Sequence, residues 1–193
     1  MLRLIVGLGN PGEAYRDTRH NAGARFVAAL ARREGAALAA EGKFHGATGR
    51  LRLAGRDVRL LVPGTFMNRS GRAVAAMAGF YKIPARELLI AHDELDIPAG
   101  CARFKLGGGH GGHNGLRDVI PALGNDAGFY RLRIGIGHPG SAAAVSSYVL
   151  GRPPAAEAER TAAAIDAALA ALPLLLAGDL ARAQTQLHSF SAA

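Results

Sequence analysis

The feature that most constrains this fold is an alternation between short apolar runs, which have the length of buried strands, and longer stretches with helical spacing. The runs that predict strands are 2–8, 50–53, 58–62, 87–91, 102–106 and 130–137. The stretches that predict helices are 21–33, a helix capped by Asn68 or Ser70 that runs towards Tyr81, 116–123, and a helical C-terminal part that starts at Pro153-Pro154. Strands that alternate with helices predict an α/β fold: one domain over residues 1–193, with a mixed β-sheet flanked by helices on both faces.

The composition permits a folded core and suggests a polyanionic partner. Of 193 residues, 49% are hydrophobic and 20% are charged, which excludes wholesale disorder. Lysine and arginine number 23 against 15 acidic residues, so the net charge is +8. Such a surplus favours binding to nucleic acid, a membrane surface or a phosphorylated ligand, although basic chains also gain solubility from it.

The sequence gives no indication of export or of insertion into a membrane. The single cysteine, Cys101, excludes an internal disulfide. The apolar run at the N-terminus ends at Gly7 and is too short for a signal peptide. The apolar stretch 161–178 contains Asp166 and Pro173 and is rich in alanine, so it predicts a helix that does not span a membrane. We therefore expect a soluble, cytoplasmic protein without a membrane partner.

A glycine-rich loop after the first predicted strand matches a dinucleotide-binding fingerprint. Residues 7–12 fit the pattern G-x-G-x-x-G. That fingerprint requires a helix that opens at the loop and binds pyrophosphate, but residues 13–19 have no helical pattern. The stretch 36–46, where a second strand with a ribose-binding acid should lie, is not strand-like. The sequence therefore disfavours a dinucleotide site, and we expect the glycines to form a turn or to bring the backbone close to a ligand.

Histidines and carboxylates at two places suggest acid–base chemistry. His20 stands just before a predicted helix, and His92-Asp93-Glu94-Leu95-Asp96 follows a strand end, where α/β folds commonly carry their chemistry. An aspartate at such a point can accept a hydrogen bond from an imidazole and stabilise the imidazolium. The alternatives are that His20 is a solvated or helix-capping residue and that residues 92–96 form a solvated acidic turn. Metal ligation is disfavoured, because neither H-E-x-x-H nor paired cysteines occur; its potential ligands would be His92, Asp93, Glu94, Asp96, His110 and His113.

Three asparagines and a set of basic residues are further candidates. Asn10, Asn68 and Asn114 lie in loops, where they either support turns or donate to a developing oxyanion without adding charge. The glycine-rich segment 107–115 leads into a helix N-terminus, which predicts either a phosphate site or a hinge. The outward-facing side chains predicted to form one basic patch, if their strands are neighbours, are Arg103, Lys105, Arg131 and Arg133.

Six blocks of this sequence, in order and over nearly the whole chain, together resemble the bacterial peptidyl-tRNA hydrolase family. They are Val-Gly-Leu-Gly-Asn-Pro-Gly at 6–12 with Tyr15 after it, Thr-Arg-His-Asn-Ala-Gly at 18–23, Pro-Gly-Thr-Phe-Met-Asn-Arg-Ser-Gly at 63–71, His-Asp-Glu-Leu-Asp at 92–96, Lys-Leu-Gly-Gly-Gly-His-Gly-Gly-His-Asn-Gly at 105–115 and Arg-Leu-Arg-Ile-Gly-Ile-Gly-His-Pro at 131–139. The resemblance implies a monomeric α/β fold with a twisted mixed sheet. It also implies hydrolysis of the ester between a peptide and the terminal ribose of tRNA, without a metal or another cofactor.

The resemblance implies a role for individual residues as well. His20 matches a general base, Asp93 the acid that orients it, and Asn10 a residue linked to the separation of N-blocked from free aminoacyl-tRNA. Residues that match the substrate-binding set are Tyr15, Phe66, Met67, Asn68 and Asn114. Residues that match positions implicated in tRNA phosphate contact are Lys105, His113 and Arg133.

The chemistry of an ester agrees with this set of residues. Its leaving group is good enough for a water molecule activated by histidine, so neither a metal nor a covalent serine is needed. Discrimination would follow if the site desolvates the α-nitrogen of the substrate. A neutral amide could donate to Asn10 or Asn114 there, whereas an ammonium would be poorly compensated.

One departure from the family pattern is visible, and one alternative function stays open. After His138-Pro139-Gly140 many members carry lysines, but this chain has Ser141-Ala-Ala-Ala-Val, so a basic contact from this lid-like segment to tRNA is in doubt unless Arg152 supplies it. The alternative function is a non-catalytic RNA-binding protein of the same fold, since plant organelle splicing factors resemble the same family. The complete set of catalytic positions favours the enzyme.

Overall fold

Seven strands form one mixed sheet in the computed structural model, which describes all 193 residues. They are β1 (Leu4–Gly7), β2 (Ala39–Glu41), β3 (Gly46–Leu53), β4 (Arg56–Pro63), β5 (Leu88–Glu94), β6 (Ala102–Leu106) and β7 (Tyr130–Gly135). Their order is β2-β3-β4-β1-β5-β7-β6, with β4, β1, β5 and β7 parallel and antiparallel neighbours at both edges. The carboxyl ends of the parallel strands therefore meet at one end of the sheet, where α/β proteins commonly bind ligands.

Helices cover both faces of this sheet. They are α1 (Ala22–Arg33), α2 (Ser70–Phe80), α3 (Asn114–Ala122), α4 (Val145–Val149), α5 (Ala155–Leu176) and α6 (Leu180–His188). One apolar cluster joins the sheet to α1, α5 and α6 through side chains such as Phe26, Leu172 and Leu187. A second cluster packs α2 and α3 on the other face through Met77 and Val119. These two clusters confirm the predicted α/β class.

The loop after β1 does not have the geometry of a dinucleotide site. Residues 11–18 form turns, and α1 begins only at Ala22. The prediction that 36–46 contains no strand is wrong, because β2 lies there. This strand has three residues and stands at the edge of the sheet, so it lacks the apolar run of a buried strand. Its edge position is not where a dinucleotide fold would carry its second strand.

Two further local predictions are corrected by the structure. His92 and Asp93 lie inside β5 and not after it, because pairing with β7 extends the strand through Glu94. Neither predicted residue caps α2: the hydroxyl of Ser70 donates to the carbonyl oxygen of Met67, within the turn that precedes the helix.

Two glycines let α1 approach the sheet closely enough to bring His20 to the strand ends. A Cβ atom on Gly23 would lie 2.1 Å from the carbonyl oxygen of Ala91, and a Cβ atom on Gly7 would lie 2.3 Å from that of Gly23. The backbone N–H of Leu8 donates to the same oxygen of Ala91 at 3.1 Å. A larger residue at either position would push the start of α1 away, so these glycines serve helix packing.

The helices of this protein do not include a membrane span. None of them combines the length and the apolar composition that crossing a bilayer requires. The stretch predicted to be an alanine-rich helix belongs to α5, and its apolar side chains pack in the core on one face of the sheet.

Candidate active site

A cavity of about 1020 Å³ opens at the carboxyl ends of the parallel strands. This volume is at the upper end of the range for small-molecule sites. The predicted site residues that line it are Asn10, Tyr15, His20, Phe66, Met67, Asn68, Asp93, Lys105, His113, Asn114 and Arg133. The tertiary structure thus brings all of these residues to one cavity, which we call the catalytic cavity; of the predicted basic patch, only Arg103 does not line it.

His20 and Asp93 form a buried hydrogen-bonded pair in this cavity. Nδ1 of His20 lies 2.9 Å from Oδ2 and 3.0 Å from Oδ1 of Asp93. Because an ionised carboxylate only accepts hydrogen bonds, Nδ1 carries the proton and donates it. The lone pair of His20 is then on Nε2, which has no partner within the chain. The imidazole is therefore held in the tautomer that a general base requires.

The charge of Asp93 is stabilised by the imidazoles around it. Burial by itself would raise the pKa of this carboxyl, but His113 and His20 outweigh burial and hold the pKa well below its usual range. Asp93 therefore stays ionised at neutral pH. A permanent negative charge at this point favours the imidazolium that forms when His20 takes a proton.

His113 is bound on the opposite side of the same carboxylate. Its Nε2 donates to Oδ1 of Asp93 at 2.8 Å, and its Nδ1 accepts from the backbone N–H groups of Gly115 at 3.1 Å and Leu116 at 3.3 Å. Both ring nitrogens are thus engaged within the chain, so the predicted contact of His113 with a tRNA phosphate would require one of these hydrogen bonds to break. The bonds to Nδ1 also cap α3 and use two of the N–H groups that the predicted phosphate at that helix N-terminus would need.

His92 fixes the backbone beside Asp93. Its Nδ1–H donates to the backbone carbonyl oxygen of Asp93 at 2.8 Å, while its buried Nε2 has no partner within the chain. Burial, and next the repulsion by His113, lower the pKa of His92 to about 3. His92 is therefore neutral at pH 7 and acts here as a hydrogen-bond donor to the strand.

The side chain of Asn10 is turned towards the loop that follows β4. Its Oδ1 accepts the backbone N–H of Met67 at 2.7 Å. The oxygen predicted to accept a hydrogen bond from the substrate thus already accepts one within the chain and keeps one lone pair, whereas Nδ2 of Asn10 has no partner within the chain. Both predicted roles of Asn10 therefore remain, and the Nδ2 donor is the one that is wholly free for a substrate.

Asn21 holds the loop of Asn10 in place and was not predicted as a site residue. Its Oδ1 accepts the backbone N–H of Asn10, and its Nδ2 donates to the backbone carbonyl oxygen of Asn10, both at 2.9 Å. The loop is thereby tied to the residue next to His20. The only signal in the sequence was the position of Asn21 inside the Thr-Arg-His-Asn-Ala-Gly block.

The other predicted substrate-binding residues form the walls of the cavity. The rings of Tyr15 and Phe66 pack edge to face with their centroids 6.3 Å apart, and Phe66 is 58% exposed. Met67 is buried, whereas Asn68 and Asn114 are exposed. The cavity therefore offers an apolar ring surface and accessible amide groups to a substrate.

The predicted basic patch is confirmed in its position but not in all its members. β6 and β7 are antiparallel neighbours, with Arg103 opposite Arg133 and Lys105 opposite Arg131, so all four side chains belong to one face. Nε of Arg133 lies 2.9 Å from Oε1 of Glu94. Arg103 and Lys105 are exposed and have no acidic partner within the chain.

The prediction that Arg131 points outward is wrong. Its side chain is buried, because the glycine-rich segment folds over it and the carbonyl oxygens of Gly108 and Gly109 accept hydrogen bonds from its guanidinium. Arg131 thus holds the shape of this segment, and the accessible cations at this edge of the sheet are fewer than the sequence suggested.

The segment that departs from the family pattern forms one wall of the cavity. It folds into a short 3₁₀ turn, Ala142–Ala144, followed by α4, and Val145 lines the cavity. Arg19, next to His20, donates to the backbone carbonyl oxygen of Tyr148 in α4 at 3.1 Å and stacks over its ring at 3.9 Å. Arg152 is paired with Asp17 at 2.6 Å on the exposed surface and does not line the cavity.

His20, Asp93 and His113 stand close enough to be tested as a metal site. One ligand atom from each lies within 4.8 Å of the others. However, the nitrogens that face Asp93 both carry protons, because Nδ1 of His113 accepts from the backbone and Nδ1 of His20 donates to the carboxylate. A proton on these nitrogens leaves no lone pair for a cation. This donor set therefore does not fit a metal ion.

Comparisons with known proteins agree with the motifs. The family model for peptidyl-tRNA hydrolase matches residues 4–193. The peptidyl-tRNA hydrolase of Pseudomonas fluorescens SBW25 is 60% identical over 188 residues, 97% of each chain. That of Shewanella frigidimarina is 59% identical over 191 residues, 99% of this chain and 98% of the relative. The crystal structure of peptidyl-tRNA hydrolase from Acinetobacter baumannii superposes with a TM-score of 0.96 at 52% identity, covering 100% of this chain and 97% of that one.

Proposed function

The chain belongs to the peptidyl-tRNA hydrolase family and hydrolyses the ester bond of peptidyl-tRNA, and we propose that it does so with a water molecule activated by His20. The observation that carries the mechanism is the pairing of Nδ1 of His20 with the buried carboxylate of Asp93 at 2.9 Å. This pairing leaves Nε2 as the basic atom towards the cavity. Base activation of this kind contributes about 10²–10⁴-fold to the rate.

In the first step, Nε2 of His20 takes a proton from water while the water oxygen attacks the ester carbonyl carbon. The carbonyl becomes a tetrahedral oxyanion, and the imidazolium is stabilised by Asp93, which stays ionised. In the second step the bond to the ribose oxygen breaks, and the imidazolium returns its proton to that oxygen. The products are the free peptide carboxyl and tRNA with an intact terminal ribose, and His20 is neutral again.

Neutral amide groups supply the donors for the oxyanion. Nδ2 of Asn10 has no partner within the chain, and the hydrogen bond from the backbone N–H of Met67 to Oδ1 holds the side chain in its orientation. The exposed amides of Asn68 and Asn114 line the same cavity. Neutral donors of this kind stabilise the developing negative charge of the oxyanion without adding a positive charge to the site. One such donor contributes about 10²–10³-fold to kcat.

Discrimination against free aminoacyl-tRNA follows from the same donors. A neutral peptide carbonyl accepts from Nδ2 of Asn10, whereas a free α-ammonium is a second donor at this point. The ammonium would face an N–H group instead of an acceptor and would also lose its water. We therefore assign the preference for N-blocked substrates to the donor side of the Asn10 amide.

The tRNA moiety binds on the side of β6 and β7. Lys105 lines the cavity, is exposed and has no acidic partner, so its ammonium is available to a phosphate. Arg133 contributes through the guanidinium nitrogens that its Nε bond to Glu94 leaves free. All of these groups come from one chain, which supports an active monomer, and a peptidyl-tRNA substrate supports the expected cytoplasmic location.

The test is release of N-acetyl-amino acid from one N-acetyl-aminoacyl-tRNA, measured with and without EDTA. We expect wild-type release to survive EDTA and His20→Ala to lower kcat by at least about 10²-fold. The control is His138→Ala, which removes an exposed histidine that does not line the cavity. Loss of release in EDTA would show that a metal takes part.

The same assay tests the alternative function. A non-catalytic RNA-binding protein of this fold would bind the substrate tRNA without releasing the acyl group in either buffer. Unchanged release by His20→Ala would contradict the proposed mechanism and leave the hydrolase activity without an assigned base.

A further inference from the structure

A second cavity of about 860 Å³ adjoins the catalytic cavity, and Asn10 lines both. It lies between α1 and the face of the sheet formed by β2, β3 and β4. Ala40, Ala47 and Val62 are register partners across these three strands and share that face, and Ala24 and Ala28 of α1 stand opposite. We call this space the second groove.

The order of the strands sets the direction in which the second groove extends. Asn10 follows β1 and Asp93 lies in β5, so the reacting centre stands over the middle of the sheet. Lys105 and Arg133 lie on β6 and β7, towards one edge, and the second groove lies on β2 to β4, towards the other edge. A substrate in which two moieties are joined at the ester can therefore place one moiety over each edge of the sheet.

The lining of the second groove fits a peptide and not a polyanion. Small apolar side chains from the sheet and from α1 form part of its walls and leave room for side chains of different sizes, and charged residues such as Arg16, Arg25 and Glu41 line it as well. The acidic residues near it are already paired: Glu13 with Arg16 at 3.2 Å and Glu41 with Lys43 at 3.6 Å. The guanidinium of Arg25 donates hydrogen bonds to the backbone carbonyl oxygens of Arg16 and Thr18. Unlike the β6–β7 edge, the groove offers no set of unpaired cations to a phosphate.

We propose that the second groove binds the residues of the peptidyl chain that precede the esterified residue. The proposal rests on the proposed function, because it takes the ester to be cleaved at His20 beside Asn10. The peptide leaves the catalytic cavity past Asn10 and lies between α1 and the sheet face. Contact with small apolar side chains and backbone is independent of peptide sequence, which suits an enzyme whose substrates share only their ester.

The proposal predicts that peptide length is recognised through this groove. The substrates are N-acetyl-alanyl-tRNA and an N-acetylated pentapeptidyl-tRNA that ends in the same alanine on the same tRNA. For the wild type we expect kcat/KM to be about tenfold higher with the longer peptide, because its additional residues bury apolar surface in the groove. The gain should come from KM, since this binding is equal in the ground state and the transition state.

A matched pair of variants assigns that gain to the groove. Ala40 and Ala39 are exposed neighbours on β2, but only Ala40 lines the groove, because side chains alternate along a strand. We expect A40W to lose the gain with peptide length and to keep the wild-type rate on N-acetyl-alanyl-tRNA. A39W should behave as wild type on both substrates. If A40W melts earlier than A39W, Ala28→Leu on the facing helix provides the same test.

Three outcomes would overturn the proposal. The first is a wild-type kcat/KM that does not depend on peptide length. The second is an equal loss for A40W on both substrates, which would place the tRNA end in the groove instead. The third is an unchanged length dependence in A40W. None of these outcomes affects the proposed function, which is tested by His20→Ala on N-acetyl-alanyl-tRNA alone.

Discussion

Nε2 of His113 lies 2.8 Å from Oδ1 of Asp93, so the carboxylate that pairs with His20 is itself held by a second imidazole. The other ring nitrogen of His113 caps α3, which begins with Asn114. One side chain thus connects the acid of the proposed catalytic pair to the helix that carries Asn114, a predicted substrate-binding residue. Asp93 cannot turn towards the cavity without breaking this connection.

His113→Ala is therefore expected to lower kcat about tenfold. The charged carboxylate of Asp93 loses one hydrogen-bond donor, and His20 then loses its fixed orientation. KM and its salt dependence should change little. Steady-state kinetics on N-acetyl-aminoacyl-tRNA at two salt concentrations make the measurement, with Lys105→Ala as the comparison. A salt-dependent rise in KM with unchanged kcat would restore a phosphate contact for His113.

Asn10→Asp separates the two ends of the Asn10 amide. The new carboxylate still accepts the N–H of Met67, but the Nδ2 donor is lost. We expect kcat/KM to fall about 100-fold, as for the loss of one oxyanion donor, with little change in Tm. Asn10→Ala loses both ends and should also be less stable. If Asn10→Ala lowers the rates on N-blocked and free aminoacyl-tRNA equally, Asn10 has no part in discrimination.

Acid should destabilise this protein partly through His92. Burial lowers its pKa to about 3 in the folded chain, while the unfolded chain protonates it near the ordinary value of about 6.5. Between these values the unfolded state binds the extra proton, so the free energy of unfolding falls as pH decreases, by up to about 1.4 kcal/mol per pH unit from this group. The contribution is complete above about pH 6.5.

Urea unfolding of the wild type and of His92→Gln between pH 6.5 and 4.5 checks this effect. The variant lacks the titrating group and should show a smaller slope of stability with pH. His138→Gln, at an exposed position, should keep the wild-type slope. Equal slopes for wild type and His92→Gln would mean that His92 is not buried as a neutral group.

Lys105 and Arg133 are the two cations proposed to contact tRNA phosphates, and their removal should raise KM by different amounts. Lys105→Ala removes an unpaired cation, so KM should rise and the slope of log KM against log salt should decrease by roughly 0.7–0.9 if one phosphate is contacted. Arg133→Ala also leaves Glu94 without its partner, which adds a negative charge near the tRNA, and its KM should rise further. The double variant Glu94→Gln with Arg133→Gln removes that added charge.

Arg72→Ala is the control for these kinetics, because Arg72 is exposed on α2 and does not line the catalytic cavity. It should leave KM and its salt slope unchanged. A drop in kcat at constant KM for Lys105→Ala would contradict a role in tRNA binding.

By itself the sequence determined the alternation of strands and helices except for β2, the α/β class and the family, because these depend on periodicity and on motifs that are local along the chain. It also predicted side chains that the structure brings to one cavity, since His20, Asp93 and the three asparagines stand in distinctive blocks. Only the tertiary structure decided what these side chains do to one another. His20 and Asp93 are 73 positions apart, Met67 meets Asn10 across 57, and Arg131 is covered by a loop 22 positions earlier. Hydrogen bonds act over about 3 Å and are set by packing, so a residue's partners, and hence its free atoms, cannot be read from its neighbours in sequence.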